Sequence, residues 1–245
     1  MSEHKRKFIK NIRSIIDQID IGILCFCVLT ILFTFFTGGI VILSGKNTSV
    51  LEIIIKQNKL INNFGWFDVA SRQFSDWYHF ILPIMICAPT TILFIDGLQN
   101  KTYRYYLIRE KITIFFSKNL IASFLSTIML LVIGTVLFWL MVIVIFPRER
   151  NLGNVMIYGN LNADQLYNYF RLFLKEIIYA LFLSSISYCL SIVLMNRYST
   201  VTFTFLLNYM INNNIDRIDN LYFIFAIFVV LYVSLRVLKR RCLNC

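Results

Sequence analysis

Long apolar runs constrain this chain more than any other feature, because the core of a soluble domain has no use for so many of them. Most approach the roughly 20 residues that a helix rising 1.5 Å per residue needs to cross about 30 Å of hydrocarbon. Six runs stand out, at 21–43, 79–98, 119–146, 172–195, 200–211 and 221–238. Composition agrees: 58% of residues are apolar and 15% charged, with a mean hydropathy of +0.69, whereas a soluble domain carries about 25% charged residues. The expected fold class is all-α, a polytopic membrane protein of six transmembrane helices.

Details within the runs sharpen that expectation. Pro83 and Pro89 interrupt the second run and predict a bent helix, since proline donates no backbone hydrogen bond. The fifth run is short of the roughly 17 residues a spanning helix needs, so it either extends through Asn212 to Ile215 or dips in and returns. Before the first run, Phe8, Ile9, Ile12, Ile15, Ile16 and Ile19 form one helical stripe opposite Lys5, Arg6, Lys7, Lys10 and Arg13. That pattern predicts an amphipathic helix over 1–20 lying in the membrane interface, followed by a transmembrane domain over 21–245. The polar residues that precede the first run do not resemble a cleavable signal. The segment 44–78, rich in Trp and Phe, is expected to lie on the membrane as a loop.

The net charge of +11 would suit nucleic acid only if Lys and Arg shared one soluble face. Here they flank apolar runs, which excludes that partner and instead sets topology. With the N-terminus inside, the inner segments hold 15 basic residues and the outer ones nine, so both termini are placed in the cytoplasm. Cys25, Cys27, Cys87 and Cys189 fall within apolar runs as small hydrophobes. Cys242 and Cys245 form a C-x-x-C that no second pair or His completes.

No catalytic set and no metal site are read, for the chain has neither H-E-x-x-H nor G-x-S-x-G, and its two histidines, His4 and His79, are far apart in sequence. The G-x-x-x-x-G-K-[ST] phosphate loop is also missing, so no cofactor is expected in this chain. Glu176, with Arg171 and Lys175, is placed at the outer rim as an anchor, with pairing to Arg171 or an outer gate as the alternative. Ser184, Ser185, Ser187, Ser191, Thr202, Thr204 and Asn208 are expected to make helix packing contacts.

The most informative segment follows the second run. It reads Asp96, a basic and aromatic stretch of Tyr103, Arg104, Tyr105, Tyr106, Leu107, Arg109, Glu110 and Lys111, then Lys118 opening the third run. As a positive-inside anchor with interfacial tyrosines it needs no partner. With Pro83 and Pro89 before it, the segment also resembles the type-2 ABC export permeases of Gram-positive bacteria, departing from them at Lys101, where many relatives carry a turn glycine. The resemblance implies that Tyr103 to Lys111 is a coupling helix docking into an ATPase subunit, and that Pro83, Asp96 and Lys118 belong to the machinery around it. It further implies a plasma-membrane permease that pairs with a second permease copy or paralogue and with two ATPase subunits holding ATP and Mg. The cargo would be hydrophobic or amphipathic, such as a toxin, bacteriocin or antimicrobial peptide. A membrane-embedded enzyme or an immunity protein acting without ATP is the alternative.

Overall fold

The computed structural model describes residues 15–38, 40–43, 46–56, 65–100, 112–146, 150–152, 155–157, 163–212 and 220–243. The architecture is helical. Helix α1 (Ile21–Gly38) starts at Asp20, whose Oδ1 accepts the Ile23 N–H at 3.0 Å as an N-cap carboxylate does. It stops five residues short of the expected end at Leu43. There the β-branched run Ile40-Val41-Ile42 enters a hairpin, β1 (Ile40–Leu43) with β2 (Lys46–Ser49), in which Leu43 pairs with Lys46. Short helices α2 (Val50–Lys56) and α3 (Trp66–Ala70) follow.

The second apolar run forms α4 (Asp76–Cys87) and α5 (Thr91–Gln99), which together make a 23-residue candidate span from Trp77 to Gln99. Pro83 lies inside α4. The expected bend falls instead at Ala88–Thr90, around Pro89. The carbonyl of Pro89 accepts the Asp20 N–H at 3.1 Å, which fixes the start of α1 to this break.

Helix α6 (Ile112–Ile145) has 34 residues and α7 (Ala163–Leu194) has 32, so each is about 50 Å long and overruns the hydrocarbon core. Between them lies a second hairpin, β3 (Arg150–Leu152) with β4 (Val155–Ile157). Both helices begin earlier than their apolar runs, α7 at Ala163 rather than Leu172, with Asp164 in its first turn where a carboxylate favours the helix dipole. Helices α8 (Arg197–Asn212) and α9 (Asn220–Leu243) complete the chain.

Among the described residues four helices are long and apolar enough to cross a membrane: Ile21–Gly38, Trp77–Gln99, Thr113–Ile145 and Asp164–Leu194. The expected fifth and sixth spans are present as helices but fall short, α8 with 16 residues and α9 with an apolar stretch confined to Tyr222–Val237. Exposed Phe26, Leu29 and Phe33 on α1, and Leu140, Met141 and Val144 on α6, are apolar patches that suit lipid and not water. The chain is a membrane-embedded protein. Of the expected interfacial helix, all but its last few residues lie outside the described residues.

Contacts divide the chain into two units. Unit one comprises residues 1–27, 83–130 and 177–245, and unit two comprises 28–82 and 131–176. In unit one, α7 is the hub. Thr91 and Ser187 hydroxyls meet at 3.1 Å while Gln99 Nε2 donates to the Met195 carbonyl at 2.7 Å, so α5 and the end of α7 run parallel. Ser123 and Ser184 meet at 2.8 Å and the Phe116 and Tyr188 rings at 5.2 Å, which sets α6 antiparallel. Tyr179 donates to Asn208 Oδ1 at 2.6 Å, and Phe223 packs on Tyr179 and Phe182, so α8 and α9 flank α7 at least as far as Tyr179.

In unit two the contacts are mostly between rings. Phe35 packs within 6.1 Å of Phe74, Tyr78 and Phe138, and Trp139 meets Trp66, Phe67 and Tyr169. Gly134 lets α6 approach α1, for a Cβ there would lie 3.1 Å from Ile31 Cγ2. The buried Gln73 amide donates to the Tyr169 hydroxyl at 2.7 Å and to Thr135 Oγ1 at 3.4 Å.

Candidate functional site

The residues expected to couple to an ATPase, Tyr103, Arg104, Tyr105, Tyr106, Leu107, Arg109, Glu110 and Lys111, lie outside the described residues. What is described is the base from which that segment leaves and to which it returns, at the end of α5 and the start of α6. Both ends belong to unit one.

An apolar cluster builds the base. Phe94 and Leu98 of α5, Phe115 and Phe116 of α6 and Tyr188 and Ile192 of α7 are buried together, with Leu231, Leu235 and Val237 of α9 packed against them. The rings stand 4.8 Å (Phe94 to Tyr188) and 6.1 Å (Phe94 to Phe115) apart, within the range where aromatic pairs attract. The Tyr188 hydroxyl donates to the Phe116 carbonyl at 3.3 Å. Segment ends that the charge pattern assigns to one side of the membrane therefore meet in one place.

Polar groups tie this base to the α7–α8 corner. Asp96, on α5, forms an ion pair with Arg197, the first residue of α8. The pair is half-exposed, a setting in which such a contact contributes about 0.2–1 kcal/mol, so its value lies in direction more than in strength. Met195 takes a positive φ of 50°, a left-handed conformation that a side chain makes unfavourable by roughly 1–2 kcal/mol. Its own N–H still bonds the Ser191 carbonyl and its carbonyl accepts from Gln99, while Asn196 Oδ1 caps α8 by accepting from Tyr198 N at 3.0 Å. A strained corner held by several bonds at once is a place where a small push is felt. Lys118, expected to open the third span, sits half-buried in the second turn of α6.

The other candidates separate from this base. Pro83 lies within α4 and Pro89 at the break between α4 and α5, and the Cys87 thiol meets the Ser187 hydroxyl at 3.0 Å. Of the residues expected to pack helices, Ser184, Ser187, Thr204 and Asn208 do so, Thr204 through a hydrogen bond with Cys87 besides the one to its own helix, whereas Ser185 and Ser191 bond carbonyls of their own helices and Thr202 is exposed.

Glu176 departs furthest from expectation. It does not stand exposed with Arg171: α7 begins 13 residues before it, its side chain is buried, and Oε1 lies 3.7 Å from His79 Nε2 of α4 in unit two. Arg171, the partner considered from sequence, is exposed. Helical periodicity carries no information about pairing between distant helices, so this contact was invisible until the fold placed α4 beside α7. Among the described residues no three His, Cys, Asp or Glu side chains converge as a metal cluster would require. No known protein family, characterised protein or solved structure matches the chain.

Proposed function

We propose that the chain is the permease subunit of an ATP-driven exporter, crossing the membrane six times with α8 and α9 as a shorter pair and with both ends in the cytoplasm. In the cell it would sit in the plasma membrane of a Gram-positive bacterium, dimerised with a second permease, with two ATPase subunits supplying ATP hydrolysis. The observation that carries this reading is the base of the 101–111 segment. A force applied to that segment enters α5 and α6 together and reaches the α7–α8 corner through Asp96–Arg197 and Gln99–Met195. Such a linkage suits a device that converts a partner's motion into helix motion, and an inert anchor has no need of it. Scarce charge in the spanning helices supports hydrophobic or amphipathic cargo, a peptide foremost, over ions.

Copurification tests the proposal. A tagged chain expressed with its candidate ATPase is expected to retain it, and Arg104→Glu with Arg109→Glu is expected to weaken retention by roughly tenfold or more, the scale of a 1.4 kcal/mol loss. Retention and export unchanged by the double substitution would sink the permease reading. The competing view, an enzyme or immunity protein working without ATP, draws support from the His79–Glu176 pair, an acid and a base in contact. It predicts activity in the absence of any ATPase.

A further inference from the structure

We propose that the end of α9 is a site for an anionic phospholipid, its phosphate held by Arg236, Lys239 and Arg240 and its acyl chains lying along the apolar side chains that precede them. In a helix, spacings of three and four residues return to one face. Phe225, Val229, Tyr232, Arg236 and Lys239 follow one another at such spacings, with Arg240 beside Lys239, and all six are exposed. One face of one helix is therefore apolar first and basic after. From Phe225 to Arg236 the helix rises about 16 Å, close to the roughly 15 Å of hydrocarbon in one leaflet. A lipid whose tails lie against Phe225 and Tyr232 brings its headgroup to the three cations.

Charge selects the headgroup. Helix α9 carries no acidic side chain, and Asp96, on α5 in the same unit, is taken up by Arg197. A zwitterionic lipid offers the three cations an ammonium group along with its phosphate, whereas an anionic lipid offers the net negative charge that basic residues beside a membrane attract. The Arg236 guanidinium lies over the Tyr232 ring, 5.3 Å from its centroid, a cation–π contact that holds it at the end of the apolar face. Arginine there matches a phosphate with paired N–H donors. The negative end of the helix dipole also favours basic residues at this position, but it does so in any lipid alike. The other sides of α9 send Leu231, Leu235 and Val237 into the cluster at the base of the 101–111 segment. A lipid bound here braces the helix that packs on that base. The site requires the apolar stretch of α9 to lie in the membrane and does not depend on the permease reading.

The test is native mass spectrometry of the full-length protein released from nanodiscs that hold equal amounts of phosphatidylglycerol and phosphatidylcholine. Wild type is expected to retain phosphatidylglycerol over phosphatidylcholine by roughly tenfold or more, and R236Q/K239Q/R240Q to lose most of that preference. R171Q, which removes an exposed arginine of unit two, is expected to keep it. Equal retention of the two lipids by wild type, as the dipole alone predicts, would overturn the proposal. So would a preference that survives the triple substitution, or one that R171Q removes as fully. Should the triple variant fail to fold, Lys239→Gln alone is expected to lower the preference by about fivefold, and a preference it leaves unchanged would equally overturn the site.

Discussion

Hydroxyl, thiol and amide groups add to ring contacts in tying the helices of unit one together, whereas unit two relies mainly on ring against ring. In unit one Ser123–Ser184, Thr91–Ser187, Cys87–Ser187 and Tyr179–Asn208 each join α7 to a different stretch of its neighbours. In unit two Phe35, Phe74, Tyr78, Phe138, Trp139 and Tyr169 form a chain of contacting rings with a single buried amide, Gln73, among them. Lipid gives helices no hydrophobic reason to associate, so packing and hydrogen bonds decide. Small polar contacts inside a membrane are individually weak and exchangeable, about 0.6 kcal/mol each. A large ring, by contrast, gives up its whole contact surface at once. Unit one adds hydrogen bonds between helices to its ring contacts, and unit two depends on its rings.

Three substitutions put that contrast at risk. The largest effect is expected in unit two for Phe35→Ala, which empties a fully buried position and is expected to cost about 3–5 kcal/mol in reversible denaturation from mixed micelles. A loss below about 1 kcal/mol would mean that the rings do not hold the unit. Next comes Gly134→Val, which forces two methyl groups toward Ile31 and is expected to cost about 1–3 kcal/mol in the same assay. Gly134→Ala should cost less, and equal losses would show that the close approach of α6 to α1 is not the cause. The smallest is Ser184→Ala in unit one, at about 0.6 kcal/mol and no more than about 1.7. A loss as large as that of Phe35→Ala would erase the distinction between the units.

Much of this was legible in the amino-acid order. Apolar runs located every long helix, and Pro89 marked the break between α4 and α5. Boundaries were less legible where a helix outlasts its apolar run: Asp164, Asn168 and Arg171 look like loop residues, yet they are exposed on α7, where helix geometry tolerates them. The hairpins left a signal that hydropathy outweighed, since the dipeptides Ser44-Gly45 and Gly153-Asn154 are of kinds that favour turns and stand beside strand-forming residues in the sequence. For the candidate site, Asp96 was readable as an acidic helix end in an inner segment. Its partner Arg197 and the strained Met195 were not, because both depend on where α7 ends against α5.

One consequence concerns light. All three tryptophans, Trp66, Trp77 and Trp139, belong to unit two. Intrinsic tryptophan emission from this protein is therefore a report on the ring-packed unit, while the other unit, with the base of the 101–111 segment, is silent in tryptophan emission. A nucleotide-driven change in that emission would be direct evidence that motion begun in the silent unit arrives in the other.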